Sequence, residues 1–306
     1  MNSYFPAPLR RAVLAVVLPA MAVGALVACS ETPAPAPAAA TLPATSAPVT
    51  SAPVTETHMI TNKSHRLAFY VTPGHQPAIV LDAGGGEDHT QWKDIVPRLA
   101  KATGSEIITY DRAGLGASDE VKGAWDVHAA VSDLQAGLHQ LGVTGNVILV
   151  SHSQAGEVAT YFVNKYPKLV SGAVLVDASL PQFSTDEQVE RIIAVTTPQI
   201  EELKKQPSTK QTRQLIATAA NYGPMHHAYH KVSWPSSVPA TVIVSEKTPF
   251  DGSPQDAQHW RDAAAAFVNA APDRTLVTAV GSSHEIPQDQ PELVLEQIEK
   301  MVAEHG

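Results

Sequence analysis

The stretch Asn146-Val147-Ile148-Leu149-Val150-Ser151-His152-Ser153-Gln154-Ala155-Gly156 decides the fold. Its first part is a near-continuous apolar run, the pattern of a strand buried on both faces. Its second part breaks the run with small and polar residues. Val158, Phe162 and Tyr166 then share one face of a helix. A sharp strand-to-helix turn at a serine holds that residue in a strained backbone and exposes its hydroxyl at the sheet edge. Strand and helix backbones nearly touch there, so the positions two residues either side must be small. Ser151 and Ala155 meet that requirement where G-x-S-x-G would have glycine. Ser153 is the candidate nucleophile.

Working outward, short apolar runs recur at Leu67–Val71, Ala78–Leu81, Glu106–Tyr110, Asn146–Val150, Gly172–Val176, Ala240–Val244 and Thr275–Val280. The spacings are too wide for hairpins, and most intervals have helical length and period. Ile95, Leu99 and Ala102 share a helix face, as do Val127, Val131, Leu134, Leu138 and Leu141. Buried strands joined by amphipathic helices predict an α/β fold: a doubly wound, mostly parallel sheet. Right-handed crossovers gather the strands' carboxyl ends on one edge, where sites form. One interval breaks the rhythm. Residues 178–238 carry helical patterns at Asp186–Val195, Thr197–Lys205 and Thr209–Ala220 but no clear strand, which predicts a helical cap insertion.

Three further motifs stand in order around the serine. Leu81-Asp82-Ala83-Gly84-Gly85-Gly86 is followed by Trp92, and Tyr110-Asp111-Arg112-Ala113-Gly114-Leu115-Gly116-Ala117-Ser118 follows the next strand. Gly281-Ser282-Ser283-His284 follows the last strand, with Gln290-Pro291-Glu292-Leu293-Val294 beyond it. On these residues the chain resembles the α/β-hydrolase family from 78 to 303. The resemblance implies Ser153 as nucleophile, His284 as its base and then its acid, and an oxyanion hole from the N–H groups of Gly85 and Gln154. Serine at this turn also sets the chain apart from the family's epoxide hydrolases and haloalkane dehalogenases, which use aspartate there. Asp111 and Arg112 are read as pins of a tight glycine turn, and His152 as filling space beneath the serine.

The acid of the triad departs from the family's pattern. Ser245-Glu246-Lys247-Thr248-Pro249 puts Thr248 where the aspartate usually stands, and threonine cannot carry the charge that steadies an imidazolium. Some family members supply the acid one strand earlier, and Val176-Asp177-Ala178-Ser179 offers Asp177 there. Asp177 is preferred, with Asp251 and Glu246 as alternatives.

The N-terminus reads as an address. Arg10 and Arg11 precede an uncharged apolar stretch, Ala12 to Ala28, too short for a stable span of about 20 residues. Leu26-Val27-Ala28-Cys29 resembles the lipobox of bacterial lipoproteins, which implies a signal peptide at 1–28 and lipid on Cys29. Ser30 beside it implies outer-membrane placement by the bacterial sorting rule. Residues 30 to 57 hold six prolines and the tandem Ser46-Ala47-Pro48-Val49-Thr50 and Ser51-Ala52-Pro53-Val54-Thr55. Too little of this segment is apolar to offset chain entropy, so 29–57 is expected as a tether and 58–306 as the hydrolase body.

Composition narrows the function. The net charge of −9 argues against nucleic acid, and the single cysteine among 306 residues excludes an internal disulfide framework and cysteine-based metal sites. No cofactor is expected. His226 and His230 are four apart, but no carboxylate or cysteine accompanies them in sequence, so neither these nor His227 is taken as a metal ligand. The expected partners are a small-molecule ester substrate and the membrane, through the lipid. The expected activity is hydrolysis of a small or medium carboxylic ester through an acyl-enzyme on Ser153. A lactonase, perhydrolase or C–C hydrolase would use the same residues. A non-catalytic lipoprotein that keeps the fold for ligand or partner binding is the alternative from another class.

Overall fold

The computed structural model describes residues 54–250 and 252–306. The expected signal peptide, Cys29, nearly all of the tether and Asp251 lie outside the described residues. Chain order runs β1 (Glu56–Asn62), β2 (His65–Thr72), β3 (His75–Asp82), α1 (Val96–Thr103), β4 (Ser105–Tyr110), α2 (Val127–Gln140) and β5 (Val147–His152). It continues with α3 (Ala155–Lys165), β6 (Val170–Val176), α4 (Asp186–Leu203), α5 (Lys210–Ala220), α6 (Tyr222–Tyr229) and β7 (Ala240–Ser245). Last come α7 (Pro254–Asn269), β8 (Arg274–Ala279), the short α8 (Ile286–Asp289) and α9 (Pro291–His305).

The eight strands form one sheet in the order β1-β2-β4-β3-β5-β6-β7-β8. Pairing is antiparallel for β1 with β2 and for β2 with β4, and parallel from β4 to β8. This is the expected doubly wound, mostly parallel sheet. β1 starts at Glu56, before the expected start of the globular body at 58. Only Ile60 of this edge strand is fully buried, so it carries little hydrophobic pattern to read.

Strand periodicity divides the core in two. Ile79, Leu81, Ile148, Val150, Val174 and Val176 face one side, under Leu99 of α1 and Val294, Ile298 and Met301 of α9. Their neighbours Ala78, Val80, Val147, Leu149, Ala173 and Leu175 face the other, against α2, α3 and α7. Both faces are covered, which is why these strands read as unbroken apolar runs.

Between β6 and β7 the chain forms α4, α5 and α6. The two helical patterns expected at 186–195 and 197–205 are one helix. Pro198 removes a single donor, while Thr196 and Thr197 bond back to the carbonyls of Ile192 and Ile193, and the turns on either side carry the helix across. These helices are tied down onto the sheet's site edge. Tyr229 is fully buried, and its hydroxyl donates to the Ser179 carbonyl at 2.9 Å and lies 3.0 Å from Thr160 Oγ.

Candidate active site

The site is assembled beyond the carboxyl ends of β5, β6 and β8. β5 delivers Ser153, the first residue beyond its end, and the backbone turns there through φ 53° before α3 begins. That left-handed conformation is costly for a residue with a Cβ and is held by the surrounding bonds. The Ser153 N–H donates to the Val176 carbonyl at 3.2 Å, and its carbonyl accepts from Gly156 at 3.0 Å and from Ser179 at 2.9 Å. Gly156 sits where the turn meets the next loop. A Cβ there would lie 2.5 Å from the Ser179 carbonyl oxygen and 2.8 Å from the Ala178 Cβ.

β6 delivers Asp177, also left-handed at φ 40°, and the loop after β8 delivers His284. All three side chains are buried and lie in a line. Ser153 Oγ is 2.9 Å from His284 Nε2, and His284 Nδ1 is 2.7 Å from Asp177 Oδ2. A carboxylate can only accept, so the imidazole proton sits on Nδ1, and Nε2 presents its lone pair to the serine. The Ser245 hydroxyl donates to Asp177 Oδ2 at 2.6 Å, while the Ser245 N–H and the Trp260 indole donate to Oδ1 at 3.0 and 2.9 Å. Burial pushes the Asp177 carboxyl up, but the bonds from His284 and Ser245 outweigh it and hold it below the usual carboxylate range.

The two alternative acids fall elsewhere. Glu246 is exposed and accepts from the Gly281 N–H, with no bond to His284. Asp251 is outside the described residues. Gly85, from the loop after β3, lies against Gln154: a Cβ at Gly85 would come within 2.9 Å of Gln154 Oε1. Arg112, buried, bonds to Asp82 and to the carbonyls of Ala83 and Gly84, fixing the loop that carries Gly85. Asp111 does what its turn requires, accepting from the Ala117 N–H at 2.8 Å and the Tyr70 hydroxyl at 2.9 Å.

Sequence reasoning missed two arrangements. His152 does more than fill space. The Gly84 N–H donates to Gln91 Oε1, the Gln91 amide to His152 Nδ1, and His152 Nε2 to the His284 carbonyl, at 2.9, 2.9 and 3.0 Å. This chain joins the glycine loop, the serine turn and the histidine loop. Burial, reinforced by His284, lowers the His152 pKa to about 3, so the ring is neutral, as its bond from Gln91 requires. The second is a pair of buried residues, Glu157 and His226, with Oε1 and Nε2 3.1 Å apart. Glu157 stands four residues after Ser153, in the first turn of α3, and that nearness was the available signal.

The three histidines of α6 and its end part company. His226 faces the site, His227 pairs with Asp186 at 2.7 Å on the exposed side, and His230 bonds the Pro181 carbonyl. Asp88, His89 and Asp111 bring ligand atoms within 4.8 Å of one another, but both Asp111 oxygens already accept hydrogen bonds, Oδ1 from the His89 N–H and Oδ2 from the Ala117 N–H and the Tyr70 hydroxyl. Above Ser153 lies a cavity of about 20 Å³, bordered by Gln154, Glu157, Phe183, Tyr222, His226 and Trp260.

Comparison with known proteins bears on the fold and the family. An uncharacterized protein of Mycobacterium bovis is 33% identical over 118 residues, which cover 39% of this chain and 33% of that protein. The match thus spans about a third of that relative's length. An uncharacterized protein of Bacillus subtilis is 24% identical over 218 residues, 71% of this chain and 79% of its own. The structure of a thermophilic esterase from Thermogutta terrifontis superposes with a TM-score of 0.56 at 22% identity, covering 83% of this chain and 100% of that one. The model of the alpha/beta hydrolase family matches residues 79–297, from β3 through the serine turn and His284 into α9. The chain belongs to the alpha/beta hydrolase family.

Proposed function

We propose that this protein is a serine hydrolase that cleaves a small or medium carboxylic ester through an acyl-enzyme on Ser153. The observation that carries the reading is the line Ser153–His284–Asp177, closed at 2.9 and 2.7 Å. His284 Nε2 takes the Ser153 proton as Oγ attacks the ester carbonyl, and the Asp177 carboxylate steadies the imidazolium that forms. The oxyanion of the tetrahedral intermediate accepts from the N–H groups of Gly85 and Gln154. His284 then protonates the departing alcohol. A water, deprotonated by the same imidazole, attacks the acyl-enzyme and releases the acid and free Ser153.

The cavity favours short substrates. Its 20 Å³ is room for about one water, with Glu157 of α3, Thr218 of α5 and Tyr222 and His226 of α6 among the residues that border it. A fluorophosphonate probe is expected to label wild-type protein at Ser153 and not Ser153→Ala. On chromogenic esters, acetate and butyrate are expected to be turned over faster than decanoate. Folded wild-type protein that is neither labelled nor active on any chain length would sink the hydrolase reading and favour the ligand-binding lipoprotein.

We also infer that Cys29 is acylated after removal of residues 1–28 and tethers the enzyme to the cell envelope, with Ser30 favouring the outer membrane. The support is the sequence alone: the Leu26-Val27-Ala28-Cys29 motif and the proline-rich segment behind it. Among the described residues no helix is long and apolar enough to cross a membrane.

A further inference from the structure

We propose that the substrate carries a neutral hydroxyl close to its scissile carbonyl, and that Glu157 Oε2 is the group that receives it. This rests on the hydrolase reading for the chemistry, and on Glu157 for the specificity. Glu157 is 3% exposed and borders the cavity above Ser153. Its Oε1 is engaged by His226 Nε2, while Oε2 is buried with no hydrogen-bond partner among the described residues. An unpaired buried oxygen is costly, and natural proteins keep one where something fills it or uses it.

The position of the proton does not alter the conclusion. His226 Nδ1 lies 2.9 Å from the Tyr222 carbonyl and must donate to it, and Tyr222 stacks on the ring at 3.8 Å. One proton therefore lies between His226 Nε2 and Glu157 Oε1. Whether it rides on the imidazole or on Oε1, Oε2 remains an acceptor and the pair is neutral overall. A neutral pair selects a neutral donor. A ligand ammonium would add an uncompensated buried charge, whereas a hydroxyl pairs with Oε2 without one. The cavity's room for about one water sets the scale: a substrate hydroxyl takes the volume and the bond that a single water would take. Ser153 and Glu157 border the same small cavity, so the hydroxyl belongs within a few bonds of the attacked carbon.

Two isosteric ester pairs read this directly. The p-nitrophenyl esters of 3-hydroxybutyrate and 3-methylbutyrate test the acyl side, and 2-hydroxyethyl butyrate and propyl butyrate test the alcohol side. In wild type, one hydroxylated member is expected to exceed its partner in kcat/KM at least tenfold. Glu157→Leu, with circular dichroism confirming the fold, should bring that ratio towards one. Ratios near one in both wild-type pairs, with turnover that depends on Ser153, would overturn the inference and leave the hydrolase standing. If no ester is turned over, binding decides instead. Ser153→Ala should bind 3-hydroxybutyramide over 3-methylbutyramide, or N-(2-hydroxyethyl)butyramide over N-propylbutyramide, several-fold by ligand-observed NMR. Equal binding within both amide pairs would overturn it.

Discussion

Asp177 shows how a single side chain is made to stay charged while buried. Desolvation works against its carboxylate, and four donors, from His284, Ser245 twice and Trp260, work for it. Asp177→Asn keeps the shape but lets the amide donate to His284 Nδ1, which leaves the wrong nitrogen facing Ser153. Turnover is expected to fall by about 10⁴, as in the serine-protease template, while Glu246→Gln stays within a few-fold of wild type in the same steady-state assay. A near-normal rate in Asp177→Asn would reject the assignment. His152 makes a prediction about acid. Its folded pKa of about 3 lies below the ordinary 6.5. Between those values the unfolded chain binds a proton that the folded one refuses, so stability falls as pH falls through that window. His152→Gln loses hydrogen bonds and lowers stability at neutral pH, but urea midpoints measured down to about pH 4 should decline less steeply than in wild type. An equal slope would show that His152 is not the group resisting protonation.

At the scale of elements, the turn from β5 to α3 is held by contact with the loop after β6. Ser151 and Ala155 are small and buried, yet the position without room for a Cβ is Gly156. Gly156→Ala would press on the Ser179 carbonyl and on Ala178, the neighbours of Asp177. A destabilisation of about 1–3 kcal/mol is expected from chemical denaturation, with a drop in kcat on the proposed function because the strain falls between Ser153 and Asp177. An unchanged midpoint and rate would show that the two loops slide apart freely. The interval between β6 and β7 was legible as helical from its periodicity. Its merging across Pro198 was not, because bonds on both sides of a missing donor outweigh its loss.

For the molecule as a whole, the charge and the proline divide by segment. Nine of the 24 prolines lie before residue 58, and removing residues 1–28 takes away Arg10 and Arg11, leaving 19 basic against 30 acidic residues. Residues 29–306, with a net charge of −11, have no electrostatic reason to adhere to an anionic membrane, so attachment would depend on lipid alone. On the proposed anchor and activity, Cys29→Ala is expected to move the protein from the membrane to the soluble fraction with its rate on chromogenic esters unchanged. Unchanged fractionation would count against lipidation.

The amino-acid sequence by itself determined the α/β class, the strands from β2 to β8, Ser153 and His284. These are local matters: apolar period, turn chemistry and place after a strand are written along the chain. Asp177 was readable only as one of three carboxylates, because which acid meets His284 Nδ1 depends on how β6, β7 and β8 lie side by side. The chain from Gly84 through Gln91 and His152 to His284, and the meeting of Glu157 with His226, could be decided only by the tertiary structure. Their partners are separated by 61 to 132 residues, beyond the Gly84–Gln91 link, and hydrogen bonds over such separations leave no period or spacing in a sequence.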